Sequence, residues 1–278
     1  KFAAAGAAVL CVFGAEARTI SVGSGGDIAA AIAGAQAGDV VELAATTFSP
    51  TTAIAIPDGV TVKGQGPDKT KIDGTGITTG RLFTMANSDA KLMGLTIVGI
   101  TTPDEGAALK MTDGWIENCT FDQIHAAKGT SGGTAPGGAI SMTGGTVTNC
   151  TFTKCRGYGG GGVYLAGGLV TKCYFEGCRL NDLYQNMRSG AAVLVDGGTL
   201  RDCEIVRNYA DCGWHNSGSA IGDWGYGNQF DGWDRSRLPE PDKDHGVRGV
   251  SRFGEAGPGL VTKWTSAHIG SAFAMCDL

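Results

Sequence analysis

The chain has 278 residues and a net charge of −5. Its 47 glycines against 8 prolines, with no three-residue glycine period, exclude a collagen-like chain and fit a fold that bends every few residues. No basic run is present, which argues against a nucleic-acid partner.

Residues 2–13, FAAAGAAVLCVF, form an apolar run too short to span a bilayer comfortably. Ala15-Glu16-Ala17 follows as a small-x-small cleavage pattern. Together these read as the hydrophobic core and cleavage site of a secretory signal over 1–17. The first residue is Lys, not Met, so the expected signal is incomplete at its N-terminus, and the mature chain is expected to begin near Arg18. The expected location is outside the cell or on a bacterial cell surface, and the chain offers no transmembrane segment. Thr19–Val22 reads as a short strand. Asp27 is then a predicted helix N-cap. Ile28, Ile32 and Ala35 share one face of a short helix, which Gly38 should stop. Such a helix would cover the exposed first edge of a solenoid.

The stretch from Gly138 to Asn208 repeats itself. Aligned on their glycine pairs, the units place Cys119, Cys150, Cys173 and Cys203 in one column, at intervals of 31, 23 and 30 residues. Phe121, Phe152, Phe175 and Ile205 share a second column. Met111, Met142, Leu165 and Val195 share a third, and Leu109, Ile140, Val163 and Val193 a fourth. Repeats of 20–50 residues signal a solenoid, and the alternation within each unit has period two, which is strand periodicity. Asn118, Asn149, Asp202 and the glycine pairs mark tight bends. The predicted fold is all-β: a right-handed parallel β-helix over 18–211 with a short N-terminal capping helix. Lys110, Ser141, Tyr164 and Leu194 should form an outward column beside the first strand.

Earlier in the chain, Val60 and Val62 are expected in the columns later held by Leu95 and Ile97 and then by Cys119 and Phe121. The cysteines then act as small inward hydrophobes, buried and slow to react. The outward column between them would be Thr61, Thr96, Thr120 and Thr151, followed by Tyr174 and Glu204. Residues 122–137 and 179–190 read as insertions leaving one joint of the coil. After about Cys212 the pattern ends, and 212–278 is expected to be an irregular tail or cap.

Two families carry these features. From TISV through DIAAAIAGAQAGDVVELAATTFS and IPDGVTVKGQGPDKTKIDG, the chain resembles the N-terminal cap and first coils of right-handed β-helix proteins of the pectate-lyase-like superfamily. The GGAI at 137–140 resembles the repeats of polymorphic outer-membrane proteins, which pair GGA[ILV] with F-x-x-N. Gly161-Gly162-Val163 and Ala191-Ala192-Val193 are degraded copies, and of the F-x-x-N element only Ile205-Val206-Arg207-Asn208 keeps the Asn. The resemblance covers roughly residues 19–210 and implies the fold more than the function.

Three functions follow as expectations. The first is a non-catalytic secreted or surface protein, adhesin-like or carbohydrate-binding, with a polysaccharide or a host or neighbouring cell surface as partner. The second is a polysaccharide lyase or glycoside hydrolase acting on an acidic polysaccharide. A lyase of this kind neutralises a uronate carboxylate with a cation or Ca²⁺, and acidic clusters for Ca²⁺ are missing from the coils. The third is an ice-binding solenoid, suggested by the threonine column. No cofactor is expected apart from Ca²⁺ in the lyase case. Cys150-x4-Cys155 and Cys173-x4-Cys178 do not have zinc-site character, because one cysteine of each pair points into an apolar ladder. Cys155 and Cys178, one coil apart, lie within disulfide reach, although stacked free thiols are the preferred reading.

The candidate substrate-binding residues are Lys110, His125, Lys128, Tyr164, Arg179, Asp182, Tyr184 and Arg188. Tyr164 and Tyr184 offer rings to a sugar, and Arg179, Arg188 and Asp182 a polar rim, in a groove flanked by the two insertions.

Overall fold

In a computed structural model of the chain, residues 16–127, 136–180 and 190–208 are described in full. Four further short strands, at 221–223, 250–252, 256–257 and 260–261, are described by their backbone alone. Residues 1–15 of the expected signal and most of the expected tail lie outside the described residues.

Each coil contains up to four short strands. The coil that begins at Ile140 shows all of them: Ile140–Met142, Thr146–Thr148, Thr151–Thr153 and Arg156–Gly157. Corresponding strands of successive coils pair in parallel and build four sheets, called sheets 1 to 4 in that order. Sheet 1 starts at Ile54–Ile56, sheet 2 at Thr19–Val22, sheet 3 at Thr47–Phe48 and sheet 4 at Thr101–Thr102. The chain is a parallel β-helix. A strand of three residues buries too little to stand alone, so each coil depends on its neighbours for its core and its hydrogen bonds.

The core is a set of ladders. In sheet 3, Phe48, Ile72, Ile97, Phe121, Phe152, Phe175 and Ile205 are Cα partners along one inward column. Phe121, Phe152 and Phe175 stack, with ring centroids 4.9 and 4.6 Å apart and planes within 6°. Cys119, Cys150, Cys173 and Cys203 occupy the bend that precedes this column, and all four are buried. Cys155 and Cys178 form a second buried pair at the following bend, and these six cysteines are free thiols. Each sulfur donates to the carbonyl two residues earlier, as Cys150 Sγ does to Thr148 O at 3.2 Å and Cys173 Sγ to Thr171 O at 3.2 Å. Burial pushes the Cys150, Cys155 and Cys203 thiols well above the ordinary cysteine range, so they stay protonated and unreactive.

One early assignment is corrected. Val62 pairs with Leu92, and that column continues through Ile116, Val147, Val170 and Leu200 in sheet 2. Val60 and Val62 therefore do not precede the cysteine and phenylalanine columns, and Thr61, the Cα partner of Lys91, is not part of the threonine column. The residues that hold those places are Thr70 and Ile72. Thr70 is fully buried, accepting from Gln65 N at 2.9 Å and donating to Ala44 O at 2.9 Å. The error has a simple origin: sheets 2 and 3 alternate with the same period, so a Val-x-Val strand fits either.

At two of the bends in each coil the left-handed position is not reserved for glycine. Between sheets 2 and 3 it is Gly94, Asn118, Asn149, Lys172 and Asp202, with φ between 51° and 64°. Between sheets 3 and 4 it is Gly99, Gln123, Lys154, Gly177 and Arg207, with φ between 50° and 79°.

The helix Ile28–Ala33 (α1) caps the first coil. Asp27 accepts from Ala29 N at 2.9 Å and Ala30 N at 3.0 Å, and Ile28 and Ile32 are buried. α1 ends earlier than expected, with Gly34 as its C-cap, and Gly38 lies beyond in the next turn at φ 93°. Asp39, 2% exposed, accepts from Arg18 N at 2.9 Å and Gln36 N at 2.8 Å and pairs with the Arg18 guanidinium, which together hold its carboxyl well below the usual range. At the far end, Ile221–Asp223 extends sheet 1 and Val250–Arg252 joins sheet 3 in antiparallel sense, so the outer edges of Val193–Val195 and Glu204–Val206 are paired.

Candidate functional site

Residues 122–126 and 179–180, read from the sequence as the starts of insertions, belong to the coils: Asp122 ends a strand of sheet 3, Gln123 and Ile124 form a bend, and His125–Ala126 and Arg179–Leu180 are strands. Sheet 4 runs Thr101–Thr102, His125–Ala126, Arg156–Gly157 and Arg179–Leu180. Each of its strands has only two residues, too few to show a period.

Sheets 3 and 4 meet at the second left-handed bend, and their outer faces enclose a groove of about 920 Å³. Sheet 4 contributes His125, Arg156 and Arg179, which are consecutive Cα partners. The bend itself contributes Gln123, Lys154, Gly177 and Arg207. Sheet 3 contributes Asp122, Thr153 and Glu176, also consecutive partners, with Thr96 and Thr120 below. Successive rungs lie about 4.8 Å apart, so the groove repeats on that spacing.

The polar groups on the sheet 3 side are partly committed. Asp122 accepts from Thr153 Oγ1 at 2.7 Å and from Gln123 Nε2 at 3.0 Å. Glu176 pairs with Arg207 and accepts from the Tyr174 hydroxyl at 2.9 Å. Burial and the Glu176 carboxylate push the Tyr174 phenol up, and the same carboxylate raises Arg207. Among the described residues, Lys154 and Arg156 have no carboxylate within ion-pair distance. Among the described residues, the groove lining holds four permanent cations, Lys154, Arg156, Arg179 and Arg207, and two carboxylates, Asp122 and Glu176, in a chain whose overall charge is negative.

Asp122 and Glu176 stand two rungs apart with Thr153 between them, roughly 9.6 Å along the ladder, too far to share one Ca²⁺ at 2.3–2.6 Å. Among the described residues no three His, Cys, Asp or Glu side chains converge.

Of the eight residues singled out from the sequence, the four described ones fall on two sheets. His125 and Arg179 line this groove. Lys110 and Tyr164 lie on sheet 1, where Lys110 pairs with Glu105 and the Tyr164 hydroxyl donates to Asp196 Oδ2 at 2.6 Å. Lys128, Asp182, Tyr184 and Arg188 lie outside the described residues, and with them the expected groove between the insertions. The outward column Lys110, Ser141, Tyr164, Leu194 has the expected register, but Ser141 and Leu194 are buried. The backbone between coils folds over this face: a Cβ built on Gly106 would meet Ser141 Cβ at 3.0 Å, and one on Gly160 would meet Leu194 N at 2.8 Å. Arg156, Lys154 and Arg207 were missed. The sequence does hold a signal for them, because His125, Arg156 and Arg179 each stand six residues after a column cysteine, and Gln123, Lys154, Gly177 and Arg207 each stand four after one.

No protein-family profile matches the chain, and no curated protein matches it. Among solved structures it is similar to a mutant of the PL6 family alginate lyase AlyGC, with a TM-score of 0.43 and 14% identity over 75% of this chain. The matched region is 36% of that protein's chain. Among the described residues no helix is long and apolar enough to cross a membrane.

Proposed function

We propose that this protein binds an acidic polysaccharide along the groove between sheets 3 and 4. The observation that carries the reading is the ladder His125, Arg156, Arg179. Like charges placed directly opposite on neighbouring strands repel each other, and a bound oxyanion removes that cost. Guanidinium groups hold carboxylates in forked, charge-assisted hydrogen bonds. An extended chain of acidic sugars laid along the rungs meets Arg156, Arg179 and Arg207 on three successive coils, while the threonines and Gln123 offer hydroxyl and amide groups to its neutral oxygens. The apolar segment at 2–13 supports an exported protein, which would meet such polymers outside the cell.

The test is a titration with polyuronates and with neutral glucans at several salt concentrations. Binding to the polyuronates, weakening as salt screens the charges, is the expected result. Equal binding to neutral glucans, or none to any acidic polymer, would refute the reading.

A second reading, eliminative cleavage, draws on the pairing of His125 with Arg156. Arg156 would neutralise a uronate carboxylate while His125 takes the proton from the adjacent carbon. The C–O bond to the next sugar then breaks, a C=C bond forms, and the leaving oxygen takes up a proton. New ultraviolet absorbance from unsaturated uronates, lost in His125→Ala, identifies this activity. Stable polymer length after prolonged incubation identifies binding alone.

A further inference from the structure

Lys154 occupies a position where its side chain is a liability to the fold. Its φ is 53°, in the left-handed region that a long side chain adopts only at a cost. The bends on either side of sheet 3 meet this requirement differently. Between sheets 2 and 3, four of the five residues are of types that tolerate the conformation: Gly94, Asn118, Asn149 and Asp202. Between sheets 3 and 4, Gly99 and Gly177 do the same, but Gln123, Lys154 and Arg207 are long polar side chains, and all three line the groove. Long polar side chains at this conformation are thus concentrated at the bend that faces the groove, with Lys172 the exception at the other bend.

The surroundings of Lys154 give its side chain a task. Arg156 lies two residues on, and Arg179 is the Cα partner of Arg156 on the next coil. Gly177 follows Lys154 in the bend column, and the Lys154 side chain lies over it: a Cβ built there would stand in ordinary contact with Lys154 Cγ, at 3.5 Å. Beyond Gly177, Arg207 is held by Glu176 and closes the row.

We propose that Lys154 determines specificity in the groove, seating the carboxylate of one acidic sugar together with Arg156 and Arg179. This rests on the acidic-polysaccharide reading and deepens it, because it assigns the anionic group to one place on one rung. Backbone strain at Lys154 is then retained for binding, as strain at functional positions is.

The experiment compares two matched variants, Lys154→Asn and Lys172→Asn. Both lysines are exposed at φ 53°, and only Lys154 lines the groove. Asn relieves the strain in each, so both variants should melt roughly 2–4 °C higher than the parent. Affinity for polygalacturonate and alginate, measured by titration calorimetry, should fall about tenfold in Lys154→Asn and stay at the parent value in Lys172→Asn. The salt dependence of binding should also flatten in Lys154→Asn alone. If the parent binds and Lys154→Asn binds equally well, this inference is wrong and the groove reading stands. If Lys154→Asn melts lower than the parent, the side chain serves the fold and the inference is again wrong. If the parent binds neither polymer, the groove reading fails and takes this inference with it.

Discussion

Phe152→Ala is expected to lose about 3–5 kcal/mol of stability, the range for deleting a fully buried aromatic ring. Phe152 is fully buried and is the only ring of the described stack with an aromatic neighbour on both sides, at 4.9 and 4.6 Å. Stacked pairs add about 0.5–1.5 kcal/mol each beyond area burial, and Phe152→Ala removes two of them. In a solenoid each coil is stabilised mainly by its two neighbours, so the loss falls on both interfaces of one coil. The backbone on either side cannot close the cavity, because the ladder fixes the rungs about 4.8 Å apart. Phe175→Ile should cost much less, about 1.5 kcal/mol, since Ile97 and Ile205 already fill the same column. Urea denaturation followed by circular dichroism measures both. A loss below about 1 kcal/mol for Phe152→Ala would mean that the stack does not hold the coils together.

Arg156→Glu should have the largest effect on binding, about a 100-fold loss of affinity for a polyuronate, equivalent to about 2.7 kcal/mol. Arg156 is the middle member of the cationic ladder. The substitution removes a guanidinium fork and places a third carboxylate in a groove that already holds Asp122 and Glu176. Stability should hardly change, because residue 156 is exposed and the new Glu would lie opposite Arg179, where opposite charges attract. Calorimetric titration paired with a melting curve separates the two quantities. Unchanged affinity in a stable Arg156→Glu protein would take the ligand away from this ladder.

The repeat was legible because its columns are chemically narrow. Cysteine and phenylalanine recur at Cys119, Cys150, Cys173 and Phe121, Phe152, Phe175, and the stacking of identical side chains in the core accounts for that recurrence. The bends were legible at Asn118, Asn149 and Asp202, whose short polar side chains tolerate a positive φ. Lys154, Lys172 and Arg207 adopt the same φ without any compositional sign, so those bends were not. The groove was only half visible. Its side chains span more than eighty residues of sequence, and the sheet that carries His125, Arg156 and Arg179 consists of two-residue strands. Aromatic residues drew attention to Tyr164, yet its hydroxyl is held by Asp196 on another face. Placing the cations required the register from coil to coil, and the column cysteines supply it once the alignment is extended four and six residues past each of them.

A crystal structure of the protein soaked with a uronate trisaccharide tests the central claim most directly. The account predicts sugar density along sheets 3 and 4, with a carboxylate against Arg156 and Arg179 and the chain running across the coils. Density confined to the Lys110 and Tyr164 face of sheet 1, or to any surface away from the His125–Arg156–Arg179 ladder, would contradict it.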